Sequence, residues 1–244
     1  MQLNQFFFPA PKPQYNQGSF GTNLIFIKSR DRKVPCYMTK GTSKIWIIYF
    51  HGNSQDLYGA SQFMQQLKGA TEKDFNILAI EYPNYGLYKD AEPTEENIQQ
   101  DALAAYEYIE NTQENAEIYL MGRSMGTGPA CYLANLNKGK GLILISAYAS
   151  FSKIAHEYAG IFGALVKDRF QNVNYAKNIT IPTLLIHGLA DDIIKYTQTI
   201  EIYDNLRSIV KPIYLNQDMT HTKYDMIKDI SEPLEDFFNL VTNK

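Results

Sequence analysis

Six short apolar runs alternate with helix-patterned segments, and this alternation constrains the fold of the chain more than any other feature. The runs are KIWIIYF (44–50), FNILAIE (75–81), AEIYLM (116–121), GLILIS (141–146), TLLIHG (183–188) and PIYLN (212–216). Continuous apolar runs are typical of strands buried on both faces. Helical patterns lie between them, at about 57–68, 94–111, 125–137, 195–207 and 224–241. We therefore predict an α/β fold with a mostly parallel central sheet and helices on both faces.

The N-terminal part of the chain follows a different pattern. TNLIFI and VPCYMT flank the turn-like KSRDRK and predict an antiparallel hairpin before the parallel strands. Residues 1–21 are rich in Pro, Asn, Gln and Phe and predict an extended arm. Its aromatic side chains, FFF among them, either offer a surface to a protein partner or pack on their own domain. Residues 22–244 are long enough to bury one core, so we expect a single domain after the arm.

One segment interrupts the alternation. Residues 147–180 are too long for a simple connection between a strand and a helix. We predict that they form a short insertion with one or two helices, a candidate lid. The insertion contains the apolar stretch YAGIFGALV, which either lines an acyl channel or covers the core.

Composition and charge argue against several classes of function. The net charge of −3 comes from 23 basic and 26 acidic residues without a basic cluster, so we expect no nucleic-acid partner. No apolar run approaches the roughly 18 residues of a transmembrane helix, so we expect no transmembrane segment. The two distant cysteines, Cys36 and Cys131, indicate buried thiols in a reducing compartment. The expected location is cytoplasmic, either free, peripheral to a membrane or in a larger complex.

The run AEIYLM leads into Gly122-Arg123-Ser124-Met125-Gly126, and a small-residue helical pattern follows. A Gly-x-Ser-x-Gly turn between strand and helix is so tight that side chains at the glycines would collide with their surroundings. It raises the serine oxygen to the sheet edge, at the positive end of the next helix. Ser124 is therefore the predicted nucleophile. The alternative is a glycine turn with an incidental serine, and the pattern gives Arg123 no role.

A serine nucleophile needs a base and a carboxylate that orients the base. His221 lies in the polar loop NQDMTHTKY between the last strand and the last helix, where a mobile imidazole can reach a site. Asp191 and Asp192 follow the strand TLLIHG, and either residue can supply the carboxylate. The order Ser, Asp, His matches that of the α/β-hydrolase fold. The other histidines suit structural or surface positions better: His51, His156 and His187.

Over residues 22–242 the chain resembles the α/β-hydrolase superfamily. The segments that carry this resemblance are YFHGNSQDL, EYPNYGLY, GRSMGTGPA and IPTLLIHGLADDII. In that order, they are similar to four features of the superfamily: the stretch after its third strand, a glycine turn with aromatic residues, the nucleophile elbow and the acid loop. The acid-loop pattern selects Asp191 as the carboxylate. The most similar subgroup is alpha/beta hydrolase domain-containing protein seventeen and its relatives, which include protein depalmitoylases.

This resemblance implies a serine esterase or thioesterase with Ser124 as nucleophile, His221 as base and Asp191 as its partner. The backbone N–H groups of Asn53 and Met125 are expected to form the oxyanion hole. It implies no metal or cofactor. The expected substrate is an acylated protein or lipid, such as a protein S-palmitoyl thioester. The alternative is a hydrolase-fold subunit that works by binding within a larger assembly, and the motif does not separate ester from peptide hydrolysis.

Overall fold

A computed structural model describes residues 9–53, 55–159 and 169–242, and in these residues eight strands form one sheet. The strands are β1 Leu24–Ser29, β2 Arg32–Thr39, β3 Ile45–Phe50, β4 Asn76–Ile80, β5 Glu117–Arg123, β6 Gly141–Ile145, β7 Thr183–Gly188 and β8 Ile213–Asn216. The helices are α1 Leu57–Ala70, α2 Glu95–Thr112, α3 Thr127–Asn135, α4 Phe151–Ala159, α5 Asn172–Ala176, α6 Tyr196–Asn205 and α7 Glu232–Thr242.

The strand order creates a crevice at one edge of the sheet. The order is β1-β2-β4-β3-β5-β6-β7-β8, with β1 and β2 antiparallel and all strands from β4 to β8 parallel. The chain runs from β3 outward to β4 and then returns to place β5 on the other side of β3. At such a reversal the connections leave in opposite directions, so ligands bind beside the carboxyl ends of these strands. The predicted sheet and its N-terminal hairpin are confirmed.

The sheet carries an apolar layer on each face because successive strand residues point in opposite directions. In β3, Trp46, Ile48 and Phe50 pack toward α2, α3 and α6, whereas Ile47 and Tyr49 pack toward α1 and α7. All six β3 residues are buried. The continuous apolar runs of the sequence are therefore the strands that helices cover from both sides.

Side-chain caps determine where the first two helices begin. The Asp56 carboxylate accepts hydrogen bonds from the N–H groups of Tyr58 at 3.0 Å and Gly59 at 3.4 Å. The Thr94 hydroxyl accepts one from Asn97 N–H at 3.1 Å, and α2 carries two glutamates in its first turn. Such caps satisfy backbone donors that have no partner inside the helix. The predicted start of α2 thus lies within one residue of the observed one.

Three element boundaries differ from the sequence prediction. The hairpin strands extend into the predicted turn, which Arg30 and Asp31 complete with Arg30 at a φ of 55°. The helix after the serine begins at Thr127, because residues 124–126 form a separate 3-10 turn. The last helix begins at Glu232 instead of 224, after a wider π-helical turn over Met226–Ser231. Pro233 explains this last difference, since its ring cannot continue a regular α-helix from the preceding turn.

The predicted insertion and arm are described only in part. Residues 147–180 contain α4 and α5, while residues 160–168, which include most of the apolar stretch YAGIFGALV (158–166), lie outside the described residues. Whether this segment is a lid stays a prediction. The arm is described from residue 9, so Phe6, Phe7 and Phe8 also lie outside. Within the described part, Tyr15 is buried and Phe20 packs against the rings of Tyr15, Tyr37 and Tyr58.

Alanine substitutions at two glycines test how tightly the end of a strand is packed. A Cβ on Gly188, the last residue of β7, would lie 1.9 Å from the carbonyl oxygen of Met219, whereas a Cβ on Gly69 in α1 meets nothing within 4 Å. We expect Gly188→Ala to lower the free energy of unfolding by about 1–3 kcal/mol through overpacking. Gly69→Ala is the control and should raise it by about 0.5–1 kcal/mol. Urea denaturation of both variants measures the difference, and equal midpoints would contradict the close approach.

Candidate active site

The turn that carries Ser124 has the geometry that the glycine pattern predicts. Ser124 follows β5 directly and has a φ of 52°, in the left-handed region that few residues other than glycine adopt. A Cβ on Gly122 would lie 2.3 Å from the carbonyl oxygen of Gly126. A Cβ on Gly126 would lie 1.9 Å from the carbonyl oxygen of Phe50. Both glycines are therefore required for the turn, which presents the Ser124 side chain at the crevice.

Hydrogen bonds join the three residues that the sequence selected. Nε2 of His221 lies 3.0 Å from Oγ of Ser124, and Nδ1 of His221 lies 2.9 Å from Oδ2 of Asp191. An ionised carboxylate only accepts hydrogen bonds, so Nδ1 donates to Asp191. In a neutral imidazole this leaves Nε2 free to accept the hydroxyl proton of Ser124. Ser124 and Asp191, which lie 97 and 30 positions before His221 in the chain, thus both contact its imidazole ring.

The Asp191 carboxylate is held from several sides. Its Oδ1 accepts from the N–H groups of Ile193 at 2.9 Å and Ile194 at 2.8 Å, and its Oδ2 also lies 3.3 Å from Nε2 of His187. Burial alone would raise the pKa of Asp191. Hydrogen bonds from His187, His221 and Ile194 outweigh burial and hold the pKa of Asp191 well below its usual range. The neighbouring Asp192 is exposed.

The other histidines have different surroundings. The ring of His187 is buried, with Nδ1 2.6 Å from the hydroxyl of Thr199 and Nε2 2.8 Å from the carbonyl oxygen of Ile194. It therefore supports the turn that carries Asp191. His156 is exposed on α4, and His51 is buried at the end of β3.

Two tyrosines hold the loop that contains Asn53. The hydroxyl of Tyr82 donates to the carbonyl oxygen of His51 at 2.8 Å, and the hydroxyl of Tyr85 donates to Oδ1 of Asn53. The Asn53 side chain is therefore held by a hydrogen bond from Tyr85. Asn53 lines the same cavity as Ser124 and Met125. Both tyrosines belong to the segment EYPNYGLY, and their contacts with this loop were not predicted from the sequence.

A buried carboxylate lies beneath this loop. Both oxygens of Glu81 are surrounded by donors: the hydroxyl of Tyr15 at 2.8 Å, the N–H groups of Leu57 at 3.0 Å and Tyr82 at 3.2 Å, and Nε2 of His51 at 3.2 Å. Several donors are what a fully buried carboxylate requires. Because Tyr15 belongs to the arm, the described arm packs on its own domain and completes this network. Sequence reasoning missed Glu81, and its only signal was an acidic residue at the end of an apolar run.

Arg123 also lies at the site, although no role for it was predicted from the sequence. One guanidinium nitrogen donates to the carbonyl oxygen of His221 at 2.8 Å. The guanidinium carbon lies 4.8 Å from the ring centre of Tyr224 and 5.6 Å from that of Phe63. Arg123 therefore links the strand of the nucleophile to the loop of the histidine.

A cavity of about 370 Å³ opens over Ser124. This is within the range of small-molecule sites. The cavity is lined mainly by apolar groups, with polar groups near the serine. Its lining residues are Gly52, Asn53, Gln55, Arg123, Ser124, Met125, Tyr148, Phe151, Ile154, Ile193, Ile194, His221 and Thr222.

Neither the strands nor the loops described here bring three His, Cys, Asp or Glu residues into a cluster that could hold a metal ion. Among the helices of residues 9–53, 55–159 and 169–242, none has both the length and the apolar character needed to cross a membrane.

The chain matches a known family over its N-terminal part. Residues 21–160, more than half of the chain, match the model of the steryl acetyl hydrolase family. The chain belongs to this family. Membership of the steryl acetyl hydrolase family, together with the α/β-hydrolase relatives, makes it an esterase-type hydrolase.

Individual relatives support the same assignment at lower identity. The chain is 27% identical over 190 residues to alpha/beta hydrolase domain-containing protein aho-3 of Caenorhabditis elegans. This match covers 76% of this chain and 56% of that protein. It is 25% identical over 234 residues to alpha/beta hydrolase domain-containing protein 17C of Homo sapiens, with 93% of this chain and 69% of that protein covered. The similarity to protein 17 expected from the sequence is confirmed.

Solved structures confirm the α/β-hydrolase fold of this steryl acetyl hydrolase family member. The esterase Pf2001 of Pyrococcus furiosus matches 95% of this chain and 96% of its own, with a TM-score of 0.73 and 16% identity. Est1E from Butyrivibrio proteoclasticus matches 90% of this chain and 100% of its own, with a TM-score of 0.74 and 16% identity. At this identity the likeness concerns the fold alone.

The depressed pKa of Asp191 predicts how stability depends on pH. An aspartate in the unfolded chain has a pKa near 3.9. Because the folded pKa of Asp191 is lower, its ionised form stabilises the folded protein above about pH 4, and this contribution is lost as the pH falls through the folded pKa. We expect the difference in thermal unfolding midpoint between wild type and Asp191→Asn to be full at pH 7 and to shrink below about pH 4.

Circular dichroism melts between pH 7 and pH 3 measure this difference. Asp192→Asn is the matched control, since Asp192 is the exposed neighbour and should change the midpoint little at any of these pH values. A difference between wild type and Asp191→Asn that grows toward low pH would contradict the depressed pKa.

Proposed function

We propose that this chain is a serine hydrolase that cleaves acyl esters or thioesters through a Ser124-His221-Asp191 triad. The observation that carries the proposal is the chain of two hydrogen bonds, 3.0 and 2.9 Å long, that runs from Ser124 through His221 to Asp191 at the floor of the cavity. This is the arrangement in which a weak hydroxyl nucleophile gains a base and the base gains a fixed orientation.

In the first half of the reaction the Ser124 oxygen attacks the carbonyl carbon of the substrate. Nε2 of His221 takes the hydroxyl proton as the new carbon–oxygen bond forms. Asp191 accepts from Nδ1 throughout, which keeps Nε2 directed at Ser124 and stabilises the imidazolium that results. Collapse of the tetrahedral intermediate breaks the bond to the leaving group, which receives the proton from His221. The acyl group remains on Ser124.

In the second half a water molecule replaces the leaving group. His221 takes a proton from the water as its oxygen attacks the acyl carbon, and it returns the proton to Oγ of Ser124 when the acid departs. In both halves the backbone N–H groups of Met125 and Asn53 would stabilise the negative oxygen. Such a donor typically contributes a factor of about 10²–10³ to kcat.

The lining of the cavity supports an apolar acyl group as the bound part of the substrate. Phe151, Ile154, Ile193 and Ile194 surround the space above the serine. Two kinds of ester are candidates. The matched family takes its name from steryl acetyl hydrolase, whereas the resemblance of the sequence to the protein 17 subgroup, which includes protein depalmitoylases, favours long-chain acyl groups on protein or lipid. Both esters present the same kind of carbonyl to Ser124, so the cavity wall has to decide between them. Because this wall is apolar, we favour the ester with the longer acyl chain.

The binding-subunit alternative rested on the aromatic arm. From residue 9 onward the arm packs against its own domain, with Tyr15 buried and bonded to Glu81. Among the described residues of the arm, the rings of Tyr15 and Phe20 therefore need no bound partner to cover them.

A fluorophosphonate probe tests the nucleophile. We expect the wild-type protein to be labelled, because an activated serine attacks the phosphonate phosphorus and stays modified. Ser124→Ala should remove the labelling. Asp191→Asn should lower the rate by a factor of about 10³–10⁴, since the imidazole loses its orientation. Asp192→Asn is the control and should stay within about threefold of wild type. Wild-type protein that resists a probe able to label a control esterase would eliminate the enzyme proposal.

Acyl-chain profiling tests the substrate class. We expect kcat/KM for p-nitrophenyl esters to rise from acetate toward medium and long chains, because each buried CH₂ contributes about 0.8 kcal/mol. Ile154→Trp should reduce the cavity and shift the preference toward short chains. Ile209→Trp is the control, since Ile209 is 95% exposed and does not line the cavity. A profile that peaks at acetate would instead favour the reaction named in the matched family.

A further inference from the structure

Arg123 is a buried cation whose role the mechanism above leaves unassigned. It is 8% exposed and lies at the end of β5, directly before the serine. None of the ion pairs formed between residues of the described ranges involves it. A buried guanidinium without a carboxylate needs other acceptors to replace its lost hydration. The groups that contact Arg123 therefore indicate which part of the chain its side chain holds in place.

Those groups belong to the loop of the histidine and to the helix beside it. The guanidinium donates to the carbonyl oxygen of His221 itself, and its carbon lies 4.8 Å from the ring centre of Tyr224, three residues later. The ring centre of Phe63 in α1 lies 5.6 Å from the guanidinium carbon, and it lies 6.1 Å from the ring centre of Tyr224 in an edge-to-face arrangement. A planar cation suits this position because it can stack on rings while its edge donates a hydrogen bond.

These contacts join the two ends of the hydrogen bond between Ser124 and His221. The backbone of Arg123 is continuous with that of Ser124, and its side chain holds the backbone of His221. On the far side, the loop packs closely at Met219, whose carbonyl oxygen lies against Gly188. The position of the imidazole is thus fixed from β7 on one side and from β5 on the other.

We propose that Arg123 is a positioning residue that holds the His221 loop at hydrogen-bonding distance from the nucleophile. This inference rests on the proposed function, since it assigns His221 the role of base. Arg123 does not touch the reacting atoms in this role. It acts through the backbone carbonyl of His221 and through the ring of Tyr224.

Steady-state kinetics of Arg123→Met test the role. We expect kcat, normalised by titration of active serines, to fall by about 10–100-fold, because a displaced catalytic group loses its alignment. KM should change less than about threefold. Arg123→Lys should recover only part of kcat, since an ammonium group can donate to one carbonyl but cannot stack as a plane. Arg207→Met, a substitution at an exposed arginine, is the control.

Either of two outcomes would overturn the proposal. A lower melting temperature with unchanged kcat per active serine would show a merely structural role. A selective rise in KM for substrates with a carboxylate or phosphate would show that Arg123 binds the substrate. If Arg123→Met does not fold, Tyr224→Leu tests the same contact from the loop, with Tyr224→Phe as the variant that keeps the ring and should keep kcat.

Hydrogen exchange gives a readout that does not depend on turnover. Within the loop, the N–H of Thr220 donates to the carbonyl oxygen of Lys223 at 2.9 Å. We expect amide exchange over residues 217–225 to be faster in Arg123→Met than in wild type and Arg207→Met, with exchange in β3 unchanged. Equal exchange rates in the loop would contradict the positioning role. An inactive wild-type protein whose loop exchange still depends on Arg123 would instead refute only the proposed function.

Discussion

The close approach of the serine turn to the end of β3 is the constraint on which the site depends. A Cβ on Gly126 would lie 1.9 Å from the carbonyl oxygen of Phe50, so the two backbones are in contact. A Cβ on Gly52 would lie 3.6 Å from Cβ of Ser124, which places the loop after β3 beside the serine. Main-chain packing at the point where the sheet connections reverse therefore sets the distance between the nucleophile and its neighbouring backbone donors.

Two buried carboxylates connect the surrounding loops to this frame. Glu81 lies under the loop of Asn53, and Asp191 lies under His221, and each accepts hydrogen bonds from several donors. A hydrogen bond to a charged group contributes roughly 1.5–3 kcal/mol to stability, while an unpaired buried carboxylate is costly. Displacing either loop would leave donors and acceptors without partners. The polar networks therefore give each loop one favoured position, which is what a preorganised site requires.

Sequence alone predicted most of the strands and helices, and it selected Ser124, because periodicity and the glycine turn are local properties. His221 was selected from its position in the loop after the last strand, and Asp191 was preferred to Asp192 only through the resemblance to the acid loop. It placed the start of α7 too early, since the effect of Pro233 on the preceding turn is not an apolar pattern. It missed the contact between Arg123 and His221, which joins residues 98 positions apart, and that between Tyr15 and Glu81, 66 positions apart. Such contacts depend on the strand order, which no single segment encodes.

The groups proposed to react and part of the apolar cavity wall come from different segments of this chain. The groups proposed to react stand at strand ends fixed by backbone packing, whereas Tyr148, Phe151 and Ile154 of the cavity wall belong to the connection from β6 to β7. A change at Ile154 alters the space offered to an acyl group without touching the backbone around Ser124. Connections between strands tolerate variation, whereas a strand end where an added Cβ would lie 1.9 Å from a carbonyl oxygen does not. We therefore expect substitutions in the described part of this connection to change the acyl preference proposed for this chain, while the backbone around Ser124 stays the same.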